Sequence, residues 1–327
     1  MRGDFTDTRG KEMQHVHALT LEEVSSLLQY NDLANAFSSL SEKALAGRIL
    51  KRVSTQFYTL LDVQRDIDDY FTLKIGELLE ATKDETAKKN LTLILNLSEL
   101  VNIVTILHNL SIGRKPAIIY PSVLVKKILP PTGEEIDLTA LKESVSKPFG
   151  RLIDQYIINK KIEASEIRRA LNKSVEGVDK ISNYRVWKAI GLYHDIIALR
   201  LCRMFPELIG EHVSLLILED KAFKDACNMD LPELSKTASG YRRVVMEFFE
   251  ALNDALSFLG GVEAVDVALI LTMMSISKTL TGSVEESSVK KLIHLMANSM
   301  ILKLIALSIY TGSYKVELQR LMNKWLK

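Results

Sequence analysis

The chain has 327 residues, of which 47% are hydrophobic and 25% are charged, so it can bury a large core and is not disordered as a whole. Its 42 lysines and arginines nearly balance its 41 aspartates and glutamates, which argues against a dedicated nucleic-acid surface, because polynucleotide-binding proteins usually carry a basic excess. The two cysteines, Cys202 and Cys227, are too few for a disulfide framework, and we expect two buried thiols in a reducing compartment.

Residues that break helices are scarce in this sequence. It contains 15 glycines and 7 prolines, and long stretches contain neither. Because both residue types interrupt helices, their scarcity favours an all-α fold. The first eleven residues are polar and charged, so no signal peptide is predicted. The only candidate strand is the β-branched stretch AIIYPSVLV at 117–125.

The first predicted helix follows Thr20, a good N-cap residue with Glu23 three positions later as its capping-box partner. A second short helix is predicted from Leu33, after a break at Tyr30–Asp32. The apolar spacing then predicts two longer helices, at Ile49 to about Ala81, broken or kinked near Leu60–Asp62, and at Leu91–Leu110.

The rest of the chain is also predicted to be helical, with glycine, proline or polar residues between the helices. We expect the acidic stretch that follows Leu218 to be part of a connector. The predicted helices are Glu134–Val145, 151–161, 163–171, Tyr184–Met204, Glu207–Leu218, Tyr241–Leu259, Val262–Leu280, Val284–Ile309 and Tyr314–Leu326.

Two apolar stretches, Val262–Leu280 and Leu292–Tyr310, approach the length that crosses a membrane. They are interrupted by Glu263, Asp266 and Lys278 in the first and by His294, Asn298 and Lys303 in the second. Such residues are costly within a bilayer, so we interpret both stretches as buried core helices.

One arrangement recurs along the chain: an apolar helix, a break, and a second apolar stretch. The breaks are at Gly113, Pro206 and Gly312, which are 93 and 106 residues apart. Each interval is nearly a third of the chain, so an internal threefold repeat of helical units is the simplest account. Coincidence within a helical protein is the competing explanation.

The string LDVQRDIDDYF is the most enzyme-like feature. Asp62, Asp66 and Asp69 are four and three residues apart, on one helical face, as in helical enzymes that bind magnesium and a diphosphate. Such a site needs a second acidic cluster, for which the only candidate is Glu219, Asp220 and Asp225, interleaved with lysines. The simpler interpretation of the first cluster is a solvated acidic face paired locally with Arg65.

Histidine spacing does not indicate a metal site. His15 and His17 are neighbours without a cysteine or carboxylate at ligand spacing. His108, His194 and His294 fall in the three repeated helices, where we expect partly buried polar groups. Phosphate-binding, dinucleotide-binding, serine-hydrolase and zinc-protease motifs do not occur in the sequence, which shifts weight towards a structural or interaction protein.

The repeat carries a family resemblance. The sequence resembles the C-type subunit of archaeal and V-type ATPases, which is equivalent to the d-type subunit of the eukaryotic V-ATPase. That family has three helical repeats, each with a motif like E-x-x-N-[LI]-x-x-[IL]-x-[RH], then a glycine, an amphipathic helix and often a proline-glycine stop. The stretch Leu100–Gly133, with the residue before it, matches this motif at Glu99, Asn102–Ile103, Ile106, His108 and Gly113, and VLVKKILPPTG follows as the helix with its stop.

The later repeats depart from the motif. Leu199–Arg200 stands where the family has Leu-Arg, but the second repeat lacks the asparagine and the glycine. In the third repeat Lys303 replaces the usual arginine, and Gly312 precedes the closing helix. The resemblance is clearest over Leu19–Gly133 and Val289–Lys327.

The resemblance implies an all-α, funnel-like body of three pseudo-repeats that acts as a non-catalytic rotor subunit. Such a subunit joins the central stalk of a rotary ATPase to its membrane proteolipid ring, for ATP-linked proton or sodium transport. It needs no cofactor, metal or small-molecule substrate, and it is cytoplasmic, held at the cell membrane through protein contacts. A different helical-repeat scaffold and a magnesium-dependent prenyl or terpenoid enzyme are the alternatives.

We expect a polar arm at residues 1–18 and helical repeats at 19–133, 134–227 and 228–327. The corners of these repeats are the predicted partner contacts, because basic side chains at helix ends next to glycine or proline can meet an acidic partner. The predicted contact residues are Gly113, Arg114, Lys115, Lys126, Lys127, Pro130, Pro131, Gly133 and Gly312.

Overall fold

The computed structural model describes residues 18–55, 58–114, 118–122, 136–145, 147–210, 213–228 and 243–326. Within these ranges the chain forms helices and no strand, which confirms the all-α prediction. The helices of the first part are α1 (Leu21–Leu28), α2 (Leu33–Ser38), α3 (Lys43–Val53), α4 (Leu60–Ala81), α5 (Glu85–Ser111), α6 (Leu138–Ser144) and α7 (Lys147–Asn159). Those that follow are α8 (Ala164–Ser174), α9 (Tyr184–Met204), α10 (Asp220–Asn228), α11 (Arg243–Leu256), α12 (Gly261–Ser277), α13 (Val284–Thr311) and α14 (Lys315–Trp325).

Polar side chains begin many of these helices by accepting backbone N–H groups that have no partner within the helix. The predicted capping box of Thr20 and Glu23 is present at the start of α1. A second capping box, Thr59 with Asp62, begins α4. This cap starts a new helix at Leu60, so of the break or kink predicted near Leu60–Asp62 the break is confirmed, and the stretch from Ile49 to Ala81 belongs to two helices, α3 and α4.

Four long helices, α5, α9, α12 and α13, form the centre of the molecule. Helix α5 packs against α9 and α13, and α12 packs against the same two helices. The other helices surround this group: α4 lies on α13, α11 lies on α12, and α7 and α8 lie on α5. A helix with neighbours on most sides is apolar nearly all round, which explains the long apolar stretches of the sequence.

Helices α5 and α13 are long and apolar enough to cross a membrane, judged by length and composition alone. Their most apolar windows of 18 residues are 72% and 89% buried inside the molecule. Burial of this extent is typical of the core helices of a folded domain, which pass the same test. The prediction of core helices at Val262–Leu280 and Leu292–Tyr310 agrees with the buried positions of α12 and α13.

The three helices α5, α9 and α13 start close together. Ser98 and Thr105 of α5 hydrogen bond to Tyr193 and Arg200 of α9, at 2.8 and 3.4 Å, so these two helices run parallel with an offset of 95 residues. The first turn of α13 meets both of them. The N-cap residue of α9, Asn183, donates to the Ser283 hydroxyl at 3.2 Å, and Asn90 of α5 donates to Glu285 at 3.2 Å.

The last helix of the chain packs on the first. Lys315 of α14 donates hydrogen bonds to the carbonyl oxygen of Tyr30 and to the Asn31 side chain, and Gln319 donates to the Ser25 hydroxyl at 2.8 Å. Elements that are nearly 300 residues apart in sequence therefore share one interface.

The second half differs from the prediction at two places. The predicted helix Glu207–Leu218 is instead a 3₁₀ helix at Pro206–Gly210, followed by irregular backbone over the described residues 213–219. Conversely, the stretch assigned to a connector contains a helix, α10, from Asp220 to Asn228.

The two cysteines form a disulfide. Cys202 lies in the last turn of α9 and Cys227 near the end of α10, with their Cα atoms 6.0 Å apart. The prediction of two free thiols is therefore wrong, although both side chains are buried as expected. The separation of 25 residues between the cysteines did not predict the bond, because the sequence did not predict helix α10, in which Cys227 lies. The cysteines no longer argue for a reducing compartment.

We expect the disulfide to stabilise the fold by about 3 kcal/mol, since the bond closes a loop of 25 residues in the unfolded chain. Urea denaturation of the wild type in dithiothreitol should show this loss relative to the oxidised protein. The double variant Cys202→Ala/Cys227→Ala cannot form the bond, so its stability should be close to that of the reduced wild type both with and without dithiothreitol. Equal unfolding midpoints for the wild type with and without reductant would contradict the expectation.

Candidate functional site

A short non-helical segment, Ile118–Ser122, lies among the long helices. Asn102 of α5 holds its backbone: the amide oxygen accepts the N–H groups of Ile119 and Tyr120 at 2.9 and 3.0 Å. The Asn102 amide nitrogen donates to the carbonyl oxygen of Tyr120 at 2.9 Å. Since buried backbone groups outside helices and strands need other partners, one side chain does here what a neighbouring strand would otherwise do.

Glu99 lies one turn before Asn102 and holds the end of the same segment. Its carboxylate accepts a hydrogen bond from the Ser122 hydroxyl, and both side chains are buried. The only candidate strand of the sequence, 117–125, is irregular over 118–122, and its other residues lie outside the described ranges. Glu99 and Asn102, which are spaced as E-x-x-N in the sequence, thus hold one segment together.

Lys303 of α13 contacts this segment from another side. Its ammonium group donates to the carbonyl oxygen of Ile119 at 2.7 Å and to the carboxylate of Asp68 on α4 at 3.0 Å. Ser299, one turn earlier, donates to the same carboxylate oxygen at 3.0 Å. All three polar side chains are buried, so the pair of charges compensates for the loss of hydration of each.

A second buried ion pair joins α9 to α12. The Nε of Arg200 donates to Asp266 Oδ1 at 2.6 Å, and the hydroxyl of Tyr120 donates to the same oxygen at 2.8 Å. Burial and the charge of Asp266 raise the pKa of Tyr120 well above its ordinary value, so the tyrosine keeps the proton that it donates. The segment 118–122 is thus tied to α5, α12 and α13 at once.

Asp195 of α9 does for a second segment what Asn102 does for the first. Its two carboxylate oxygens accept the backbone N–H groups of Leu216, Ile217 and Leu218 at 2.6 to 3.2 Å. Gly191, one turn earlier, leaves room for this approach, since a Cβ there would lie 3.0 Å from the Ile217 side chain. These contacts explain why residues up to Leu218 do not continue as a helix.

Asn298 of α13 provides a third example. Its amide oxygen accepts the N–H of Leu19, just before α1, at 2.8 Å. Asn102, Asp195 and Asn298 are 93 and 103 residues apart and lie in the three long helices that start together. Each is buried, and each accepts at least one backbone N–H group of an irregular segment.

The structure describes three of the predicted contact residues: Gly113, Arg114 and Gly312. The two glycines follow α5 and α13 with φ angles of 70° and 68°, the left-handed conformation that ends many helices. Arg114 is exposed, and its backbone N–H returns to the carbonyl oxygen of Asn109 at 2.8 Å. The remaining predicted contacts, Lys115, Lys126, Lys127, Pro130, Pro131 and Gly133, lie outside the described residues.

Gly312→Ala should lower the free energy of unfolding by about 1 kcal/mol, because an alanine there is strained while its methyl group meets no other atom within 4 Å. Thermal unfolding measures this change. Gly47→Ala is the matched control, since Gly47 lies in α3 with equally open space and an ordinary φ. We expect it to stabilise by a similar amount, because alanine favours helix. Destabilisation by both variants would contradict the conformational explanation.

The aspartates of α4 have separate structural partners. Asp66 accepts hydrogen bonds from Nε and Nη2 of Arg52 at 2.9 and 3.1 Å, which corrects the expected pairing with Arg65 alone. Burial raises the pKa of Asp62, but the Thr59 amide and hydroxyl, with nearby Arg52 and Arg65, leave it below the ordinary value. Asp69 is half-buried on the same helix.

The three histidines of the long helices sit in different surroundings. His108 is half-buried, with its ring edge-on to Phe205 at 5.5 Å, and His294 hydrogen bonds to Ser277 at 3.1 Å. His194 is completely buried, and its Nδ1 lies 2.8 Å from Asp195 Oδ1. His15 and His17 lie outside the described residues. No three His, Cys, Asp or Glu residues of the described ranges are grouped to hold a metal ion.

Sequence reasoning did not single out Asp68 or Asp195, and it treated Asp266 and Asn298 only as interruptions of apolar stretches. It placed Lys303 at the basic position of the third repeat but did not predict its partner. A polar residue inside an otherwise apolar helix was the available signal, because burial forces such a residue to find a partner. A scan of protein-family models gives no match to this chain, and a search of curated proteins gives none either.

Proposed function

We propose that the chain is a non-catalytic rotor subunit of an archaeal or V-type rotary ATPase, joining the central stalk to the membrane proteolipid ring. In this proposal three pseudo-repeats, at 19–133, 134–227 and 228–327, form a funnel-like body. The subunit transmits torque during ATP-linked proton or sodium transport, and it is held at the cytoplasmic side of the membrane by protein contacts.

The observation that carries the proposal is the similar spacing of three long helices, each with a buried Asn or Asp. Helices α5, α9 and α13 start at Glu85, Tyr184 and Val284, which are 99 and 100 residues apart. Each contains a buried Asn or Asp that accepts the N–H groups of an irregular segment. Recurrence at about a third of the chain supports the three-repeat organisation that the family resemblance implies.

The buried ion pairs follow the same recurrence. Arg200 is five residues after Asp195, and Lys303 is five residues after Asn298. Each base pairs with an aspartate on a neighbouring long helix, Asp266 or Asp68. In the first unit the corresponding residue is apolar: Leu107 is five residues after Asn102. A base five residues after the buried Asp or Asn thus joins neighbouring helices in two of the three units.

A coupling protein also has to resist deformation. Paired charges and hydrogen-bonded irregular segments between close-packed helices hold one arrangement, because any displacement leaves buried polar groups without partners. Such a body needs no cofactor or reaction to perform its role. This requirement supports a rotor subunit more than a catalyst, for which the aspartates of α4 are poorly disposed, since Asp66 is engaged by Arg52.

The experiment that tests the proposal is recovery of the tagged chain from detergent-solubilised membranes of the source organism. We expect the catalytic, stalk and proteolipid subunits of a rotary ATPase to co-purify. Recovery of an intact rotary ATPase that lacks this chain would overturn the proposal. Co-purification with unrelated partners would indicate a helical-repeat scaffold instead. Magnesium-dependent diphosphate release that Asp66→Ala abolishes would indicate the prenyl or terpenoid enzyme.

A further inference from the structure

The end of the molecule at which α5, α9 and α13 start forms one surface. We call it the cap surface and define it as Lys83–Lys89, Asn183–Lys188 and Lys278–Glu286. The offset of 95 residues between α5 and α9 puts Lys89 level with Tyr184, and the contact of Asn90 with Glu285 brings Val284 to the same level.

Large apolar side chains are exposed at the cap surface. Tyr184 is 69% exposed and Val284 is 65% exposed. The two residues directly follow Asn183 and Ser283, which are hydrogen bonded to each other, so they lie near one another. The Tyr184 ring also stacks on Trp187, with centroids 5.9 Å apart and ring planes at 21°. A rigid aromatic pair beside an exposed aliphatic side chain is typical of the centre of a protein interface.

The acidic groups of the cap surface are partly turned inward. Glu286 accepts the N–H groups of Thr281 and Gly282 at 2.9 and 2.8 Å and a hydrogen bond from Asn183 at 3.1 Å. The Gly282 amide, then Asn183, hold the pKa of Glu286 below its ordinary value, so it stays ionised in this position. Glu285 is engaged by Asn90.

The cap surface has six basic side chains, five lysines and one arginine, and they outnumber its exposed acidic side chains. The exposed acids are Asp84 and Glu85, and Asp84 already accepts the N–H of Ala87 as a helix cap. None of the five lysines has a carboxylate partner in the described part of the chain, and Arg185 lies 3.6 Å from Glu286. The six bases are Lys83, Lys88, Lys89, Arg185, Lys188 and Lys278.

Helix ends of both signs meet this surface. Helices α5, α9 and α13 direct their N-terminal ends, which carry partial positive charge, towards the cap surface, whereas α4 and α12 end beside it at Ala81 and Ser277 with partial negative charge, so the positive ends outnumber the negative ones. We infer that the cap surface docks an acidic protein surface, with Tyr184 and Val284 at the centre of the contact and the lysines around it. The inference rests on the proposed function, in which the subunit has two partners. The corners at Gly113 and Gly312 lie at the other ends of the long helices.

A protein partner fits this surface better than a lipid bilayer does. The helices meet the surface end-on, so no amphipathic helix face is available to lie in a membrane. The exposed apolar groups are few, and they are surrounded by charges, as in a protein interface with a small apolar centre.

The experiment uses the complex that co-purifies with the tagged chain. A carbodiimide joins a lysine ammonium to a contacting carboxylate without a spacer, and mass spectrometry locates the bonds. We expect Lys88, Lys89 or Lys188 to be linked to aspartates or glutamates of another subunit. The variants Lys88→Glu/Lys89→Glu and Tyr184→Ala should each reduce recovery of that subunit about tenfold.

Lys43→Glu/Lys51→Glu is the matched control. It reverses two exposed charges on α3, which contacts α4 through Arg52 and Asp66, and it should leave recovery unchanged. Circular dichroism melting of each variant tests that it folds like the wild type.

Absence of cross-links from the cap surface, or unchanged recovery with both variants, would overturn the inference. So would binding to phosphatidylglycerol vesicles that the lysine variants abolish without any protein cross-link. Cross-links from the cap-surface lysines to aspartates or glutamates of proteins that do not belong to a rotary ATPase would overturn the proposed function and leave the inference standing. A chain that co-purifies with no partner would overturn both.

Discussion

Replacing Arg200 with methionine is expected to lower the free energy of unfolding by about 4 kcal/mol, because it leaves the Asp266 carboxylate buried without its cation. Methionine keeps most of the volume of the side chain, so the loss reports the charge and not a cavity. Urea denaturation followed by circular dichroism measures the change.

The control for this prediction removes both charges of the ion pair and the tyrosine hydroxyl. In the triple variant Arg200→Met/Asp266→Leu/Tyr120→Phe no charge remains at this position, and apolar residues of similar size often replace a buried ion pair with little loss. We expect this variant to lie within about 2 kcal/mol of the wild type. If Arg200→Met alone unfolds within about 1 kcal/mol of the wild type, the pair is not buried as described.

Asn102→Leu should cost about 3 kcal/mol, since two N–H groups and one carbonyl oxygen of the segment Ile118–Ser122 lose their partner together. We expect the variant to destabilise the segment Ile118–Ser122 more than it destabilises the protein as a whole. Amide hydrogen exchange at Ile119 and Tyr120 is expected to become much faster than in the surrounding helices, because these amides are protected by Asn102 and not by a helix.

Asn90→Leu on the same helix is the matched control for Asn102→Leu. Asn90 is buried as well, but it makes a single side-chain hydrogen bond, to Glu285. We expect a loss of about 1 kcal/mol and no change in exchange at Ile119 or Tyr120. Equal losses for the two variants would show that Asn102 contributes packing and not a clamp on the segment.

Several helices could be predicted because local signals agree with the tertiary structure. The Thr20 and Glu23 pair marks the start of α1, and the apolar pattern of Tyr184–Met204 gives the bounds of α9. Gly113 and Gly312 mark the ends of α5 and α13, since both adopt the left-handed conformation that these ends need.

The failures occur where a distant side chain determines the local structure. The stretch from Val213 to Leu218 has the apolar composition of a buried helix. However, Asp195, on another element, accepts three of its backbone N–H groups. The partnership of Lys303 with Asp68 spans 235 residues, so no local pattern contains it. Asp62, Asp66 and Asp69 share a helical face as predicted, yet that spacing did not reveal Arg52 as the partner of Asp66.

The hydrogen bond between Leu19 and Asn298 has a consequence for biosynthesis. The two residues are 279 positions apart, and a ribosome adds about 5–20 residues per second, so the start of α1 waits roughly 15 to 55 s for its acceptor to be made. Until then the apolar sides of α1 and α2 lack the surface of α13 on which they pack. We therefore expect this part of the nascent chain to need shelter by a chaperone and to complete its structure only after translation.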